Sequence, residues 1–204
     1  MKKIACAALL GALSVTQVAL AQERPLRFVV TGGLTFGGDT LITTNYTNGR
    51  SYDTKAGGLV QIGGGVLWQP SKLPLALQAT INLHSDGTIA RNGDSSFTRF
   101  PLEVIGFYLP HQDWRIGAGV RYVLSPEAEA SQDGYADTKL EYKDTTGFVV
   151  EAGYQVFSNG WVSLRYVNEE YELESARYGN SSFNVSNVRK ADGSHVGVFF
   201  SYGF

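Results

Sequence analysis

Apolar and polar residues alternate at period two over much of the chain, and that alternation predicts strands, because successive strand side chains point to opposite faces. The first expected strand, Leu26–Phe36, puts Phe28, Val30, Gly32, Leu34 and Phe36 on one face, and the second, Gly58–Trp68, does the same with Val60, Ile62, Val66 and Trp68. Leu75–Leu83 is the cleanest case: Leu75, Leu77, Ala79, Ile81 and Leu83 alternate with Ala76, Gln78, Thr80 and Asn82. A fourth strand ending at Leu109 carries Phe100, Leu102, Val104 and Tyr108. The fifth, Trp114–Val123, carries Trp114, Ile116, Ala118, Val120 and Tyr122. Gly147–Phe157 shows Phe148, Val150, Ala152, Tyr154 and Val156; Trp161 to about Glu170 shows Val162, Leu164 and Tyr166. The eighth strand is the tail, where Val196, Val198, Phe200, Tyr202 and Phe204 share a face.

The connections fall into two classes that alternate along the chain. Gln69–Pro74, Pro110–Asp113 and Ser158–Gly160 are short, the last containing the hairpin dipeptide Asn159-Gly160. Gly37–Gly57, His84–Thr98, Leu124–Thr146 and Tyr171–Gly193 are long and polar. An even strand number with alternating short and long connections predicts an all-β chain folded as an eight-stranded antiparallel up-and-down transmembrane β-barrel, short turns in the periplasm and long loops outside. Asn48-Gly49, Asn92-Gly93 and Asp133-Gly134 inside the long loops predict hairpins that carry the sheet beyond the membrane.

With the apolar face turned to lipid, Glu103, Arg115, Arg121, Glu151 and Arg165 face inward among glycines that include Gly33, Gly63, Gly65, Gly117, Gly119, Gly153 and Gly197. Unpaired ions in a soluble sandwich core would cost several kcal/mol each, on the order of magnitude for buried charge. In an eight-stranded barrel, whose interior is just wide enough for side chains to fill, they can form a paired charge network and plug the lumen. The inverse arrangement, an apolar-lined barrel of the lipocalin kind, also satisfies these charges but leaves Phe204 and the tryptophans unexplained. Trp68, Trp114 and Trp161 all adjoin short connections and are expected to form an inner aromatic girdle, although Trp161 is one residue off the outward register of its strand. Pro101 is the misfit. It cannot donate to a ladder, so a bulge or a late strand start at Leu102 is expected there.

The N-terminus bears on compartment. Lys2 and Lys3 precede the apolar run Ile4–Leu13, and Ala19-Leu20-Ala21 supplies a small-residue cleavage site, so residues 1–21 are expected to be a signal peptide and 22–204 the barrel domain. Cleavage removes the single Cys, Cys6, together with two of the 17 cationic residues, leaving a cysteine-free and more acidic chain against 19 Asp and Glu. That balance argues against a nucleic-acid partner, and stability must come from ladder hydrogen bonds and packing.

Little of the candidate chemistry points to catalysis. His84-Ser85-Asp86 unites a base, a hydroxyl and a carboxylate, but three consecutive residues of an extended strand alternate in direction and cannot form a triad by themselves. His195 is expected to face the lumen or its rim, and His111 lies in a short turn without an evident role. Glu169, Glu170, Glu172 and Glu174 could bind a divalent cation or a lipopolysaccharide bridge, or could simply form a solvated loop base. The glycine pairs are not phosphate loops, since no helix and no Lys-Ser/Thr follow them. No cofactor and no metal site is expected.

The tail His195-Val-Gly197-Val-Phe-Phe200-Ser-Tyr202, followed by Gly203-Phe204, resembles the polar-x-Gly-x-x-aromatic-x-aromatic insertion signal of outer-membrane proteins. The whole chain after residue 21 resembles a small outer-membrane β-barrel protein of the OmpA-transmembrane/OmpX size class. The resemblance implies recognition by the barrel-assembly machinery through Gly197, Phe200, Tyr202 and Phe204, and residence in the cell outer membrane among lipid and lipopolysaccharide. The function expected is non-enzymatic: a structural or surface-interaction role through the long loops. A lipid A-modifying barrel hydrolase, or a conduit for small or hydrophobic solutes, is the alternative.

Overall fold

The alternating segments pair as strands with their neighbours until the last meets the first. The computed structural model describes residues 25–45, 51–90, 93–132, 136–185 and 190–204. Its strands are β1 (Leu26–Gly37), β2 (Thr40–Asn45), β3 (Ser51–Lys55), β4 (Leu59–Trp68), β5 (Leu75–Ala90), β6 (Gly93–His111), β7 (Trp114–Gln132), β8 (Thr138–Tyr142), β9 (Thr145–Phe157), β10 (Gly160–Asn168), β11 (Glu170–Tyr171), β12 (Leu173–Tyr178), β13 (Ser181–Asn184), β14 (Ala191–Asp192) and β15 (His195–Gly203). Eight of them close a ring in the order β1, β4, β5, β6, β7, β9, β10, β15, every pairing antiparallel. The proposed signal peptide and the three loop dipeptides fall wholly or partly outside the described residues.

The register fixes the shape of the ring. Starting at Leu26 and stepping through the paired residues Trp68, Leu77, Gly106, Ala118, Val150, Tyr166 and Val196, one returns to β1 at Phe36, ten residues further along the strand. Ten residues of rise around eight strands tilts the strands by about 40° to the barrel axis, given the ordinary strand spacings. Pro25, the C-terminal residues and the short turns gather at one end, tied by Gln69 N–H to Pro25 O (2.6 Å) and Gly203 N–H to Asn159 O (2.9 Å).

Phe28, Leu34, Ile62, Ile81, Val104, Ile116, Phe148, Leu164 and Val198 face outward and are exposed, forming the apolar belt of the outer wall. Polar residues of the opposite parity are buried inside, Glu103, Arg121 and Arg165 among them. Pro101 stays within β6 without breaking the strand. The Asn82 side-chain amide donates to its carbonyl oxygen at 3.2 Å, and the ladder to β7 absorbs a register shift between Thr98 and Phe100.

β5, β6 and β7 run longer than the sequence pattern suggests, because their polar upper halves keep pairing above the apolar belt. β10 stops at Asn168, short of the expected Glu170. β8, β12 and β13 extend the sheet sideways from β7. The β2–β3 hairpin instead leaves the wall and packs over the mouth, where Thr44 and Thr54 hydroxyls meet Ser95 Oγ at 3.1 and 2.7 Å. Beneath it Ala56, Phe97, Val123, Ala128, Tyr142 and Tyr171 form a small apolar cap, and burial there pushes the Tyr142 phenol up to about 12.

Candidate functional site: a column of charge inside the barrel

Four adjacent strands, β6, β7, β9 and β10, place ions on the inner wall, since each ion occupies the parity opposite to an outward apolar residue. Glu103 pairs in register with Arg121, and Glu151 with Arg165. Near the short-turn end Arg115 Nη2 donates to Glu151 Oε1 at 2.6 Å, with Ser163 and Ser201 hydroxyls also accepting from it. Glu151 Oε2 then accepts from Arg165 Nη2 at 2.7 Å, and Arg165 Nη1 crosses the lumen to Glu103 Oε2 at 2.9 Å. Glu103 Oε1 accepts from Arg121 Nη1 at 2.8 Å, and Arg121 Nε lies 2.8 Å from Glu169 Oε2. Glu169 Oε1 stands 3.8 Å from Arg99 Nε. The signs alternate from one end to the other.

All five ions expected in the lumen therefore lie in this column, and the structure adds two, Arg99 and Glu169. Aromatic faces line it: Arg165 lies 4.0 Å over the Phe199 ring, and Arg115 lies 4.4 Å over Phe107. Gly153 leaves the room Arg115 needs, because a Cβ there would sit 2.9 Å from the guanidinium Nε. Gln61 completes the centre, accepting from Arg121 at 2.9 Å and donating to Glu103 at 3.2 Å.

Other expected site residues fall differently. Trp68 and Trp114 are exposed on the outer wall near the short turns, Trp114 edge-on to Tyr154 at 5.2 Å. Trp161 is not a girdle residue. It is 6% exposed and lies inside, its ring 5.0 Å from the Arg115 guanidinium, as the outward parity of Val162 and Leu164 requires. Brominated lipid is accordingly expected to quench single-tryptophan variants retaining Trp68 or Trp114 and to spare one retaining Trp161. Equal quenching of all three would contradict this placement. Gly197 faces inward against the Phe199 ring, while Phe200 and Phe204 face out, Phe204 packed edge-on to Tyr202 at 5.0 Å.

His84 and Asp86 share the inner face of β5, whereas Ser85 sits on the other face against the Thr98 hydroxyl at 3.3 Å, so the three do not converge. His195 is buried with its ring 5.1 Å from that of His84. The Glu run is split: Glu169 turns into the lumen, while Glu170 and Glu172 meet Lys190 and Lys143 on the surface. The Lys143 ammonium holds the Glu172 carboxyl below its ordinary range. His111 lies exposed beside Asp113, 3.4 Å away.

Residues 5–175 match the model of the outer membrane protein beta-barrel domain. The chain belongs to that family. Outer-membrane barrels of this domain sit in lipid, and the apolar belt is the surface that meets it. No curated protein sequence matches. Among solved structures this outer-membrane barrel is similar to Neisserial surface protein A, at 10% identity and a TM-score of 0.52, over 89% of this chain and 98% of that one. It is also similar to a major outer membrane protein from Thermus thermophilus, at 13% identity and a TM-score of 0.50, over 89% of this chain and all (100%) of the other. At those identities the likeness concerns the fold.

Proposed function

We propose that the protein is a non-enzymatic outer-membrane barrel with a plugged lumen, whose role is membrane-structural or one of surface interaction through its long loops. The charge column carries the reading. Seven ions of alternating sign, from Arg115 to Arg99, span the interior, and the β2–β3 hairpin with its apolar cap covers the extracellular mouth. A water-filled path would have to break several of these pairs at once.

What remains for interaction is the protruding sheet. Its outer strand β13 pairs only with β12 among the described residues, and Tyr178 and Phe183 stand exposed beside it. The divergence of Ser85 from His84 and Asp86 counts against a lipid A-modifying hydrolase. Removal of residues 1–21 on export, and recognition of Gly197, Phe200, Tyr202 and Phe204 by the barrel-assembly machinery, belong to the same proposal. Phe200 and Phe204 on the outer wall support the second part, being accessible on the closing strand.

Single-channel recording in planar bilayers tests the plug. The refolded barrel is expected to give no stable openings, and frequent large openings in the wild-type protein would overturn the reading.

A further inference from the structure

The apolar belt is not filled evenly. On the outer wall Gly106 lies in register with Leu77 on one side and Ala118 on the other, and Ala152 lies between Ile116 and Leu164. A single small residue among large ones leaves only a notch, as Gly32 does between Ile62 and Phe200. Three small residues on the adjoining strands β6, β7 and β9 leave a groove of about 890 Å³. That lies within the range of about 300–1,000 Å³ usual for sites that hold a small molecule. Tyr108, Ile116 and Leu164 stand exposed along its rim. The groove runs obliquely because the strands are tilted. It begins at Trp68 and Leu75, on either side of the short connection between β4 and β5, and reaches Val196 at the long-loop end of β15.

Whatever fills the groove belongs to the hydrocarbon layer, since it is continuous with the belt that meets lipid. Among apolar neighbours burial itself expresses no preference, so close packing decides, and wall atoms that face a gap lose their contacts outright. A second copy of the barrel offers a convex wall, which would meet Tyr108, Ile116 and Leu164 before it reached Gly106. A hydrocarbon chain is thin and turns at every bond, so it can follow the oblique floor past Gly106, Ala118 and Ala152. The end at Trp68 suits the polar part of such a molecule. Trp68 and Tyr108 are exposed there, and amphipathic aromatic rings favour the headgroup level. Lys72, in the turn between Trp68 and Leu75, is exposed and has no ion pair among the described residues.

We propose that the groove holds an acyl chain of a glycerophospholipid whose phosphate lies against Lys72. The choice of glycerophospholipid over lipopolysaccharide rests on the reading above that turns the short connections to the periplasm. The chain fills the gap left by the three small residues, and the lone ammonium of the turn holds the headgroup at the groove's end.

The test inserts the refolded full barrel into vesicles of dioleoylphosphatidylglycerol, extracts it into a mild non-ionic detergent and counts bound lipid by native mass spectrometry. The wild type is expected to keep one phospholipid. Gly106→Leu fills the floor, and its Cβ meets nothing nearer than 3.9 Å, so the barrel itself is spared. It is expected to lower retention about tenfold, the worth of roughly two methylenes of contact. Gly32→Leu, equally open at 4.0 Å but outside the groove, is expected to keep the lipid. Should Gly106→Leu fail to fold, Ala118→Leu fills the same floor. Dioleoylglycerol, which lacks the phosphate, is expected to be retained less than the phospholipid by the wild type. No retained lipid, equal retention by the two leucine variants, or equal retention of dioleoylglycerol would overturn the proposal. So would a wild-type dimer that Gly106→Leu disperses. In vesicles that also contain lipopolysaccharide, its preferential retention would overturn the proposal through the orientation on which the choice of lipid rests.

Discussion

Glu103→Ala is expected to destabilise the folded barrel by about 3–5 kcal/mol, the usual loss when one partner of a buried ion pair is removed. Glu103 is the centre of the column: one oxygen accepts from Arg121 and Gln61, the other from Arg165. Without it two buried guanidinium groups face each other across the lumen with one fewer carboxylate between them. Arg121 retains Glu169 and Arg165 retains Glu151, so the fold should survive at reduced stability rather than vanish. Urea unfolding of the refolded protein in lipid vesicles measures the difference. Glu127→Ala, which removes a half-exposed partner of Lys139, provides the comparison and is expected to change stability by less than about 1 kcal/mol. If the two variants were equally mild, the column could not be credited with holding the barrel together.

The second large effect separates two glycines on paired strands. Gly119→Ala is expected to cost about 1–3 kcal/mol, the range for forced overpacking, because a Cβ there would run into the Val104 carbonyl and lie 2.7 Å from Ile105 Cα, both backbone of the adjoining strand. Backbone held in a ladder cannot step aside as a side chain can. Gly106→Ala should be close to neutral, since its Cβ would point outward with nothing nearer than the Ala118 carbonyl at 3.9 Å. The same urea series reports both. A neutral Gly119→Ala would mean that the β6–β7 contact is looser than its geometry implies.

Much of this was legible in the sequence because period two is a binary code: once Phe100, Leu102 and Val104 are set outward, Glu103 has one place to go. The same parity assigns Arg99 to the lumen, and it assigns Glu169 there too, two steps beyond Val167 on the face of Arg165. Both were obscured by their surroundings. Arg99 stands at the edge of a polar loop, and Glu169 heads an acidic run whose other members are solvated. Trp161 is the reverse case: it adjoins a turn, but the parity it shares with Ser163 and Arg165 turns it inward. The inward fold of the β2–β3 hairpin leaves no such trace. It rests on contacts between Thr54 and Ser95, and between Tyr52 and Asp86, that link residues far apart in the chain and carry no periodic signature.

The ions of the column are also confined to one side of the sheet. All seven come from β6, β7 and β9, and from β10 with the residue that follows it, whereas β1 and β15, which must join to shut the ring, bring none. Two of the pairs, Glu103 with Arg121 and Glu151 with Arg165, are immediate cross-strand neighbours that an open sheet can already form. Charge can thus be neutralised while the molecule is still a curved sheet. The final seam then zips through Thr31, Gly33 and Thr35 against Ser201, Phe199 and Gly197, with no ion left to carry across.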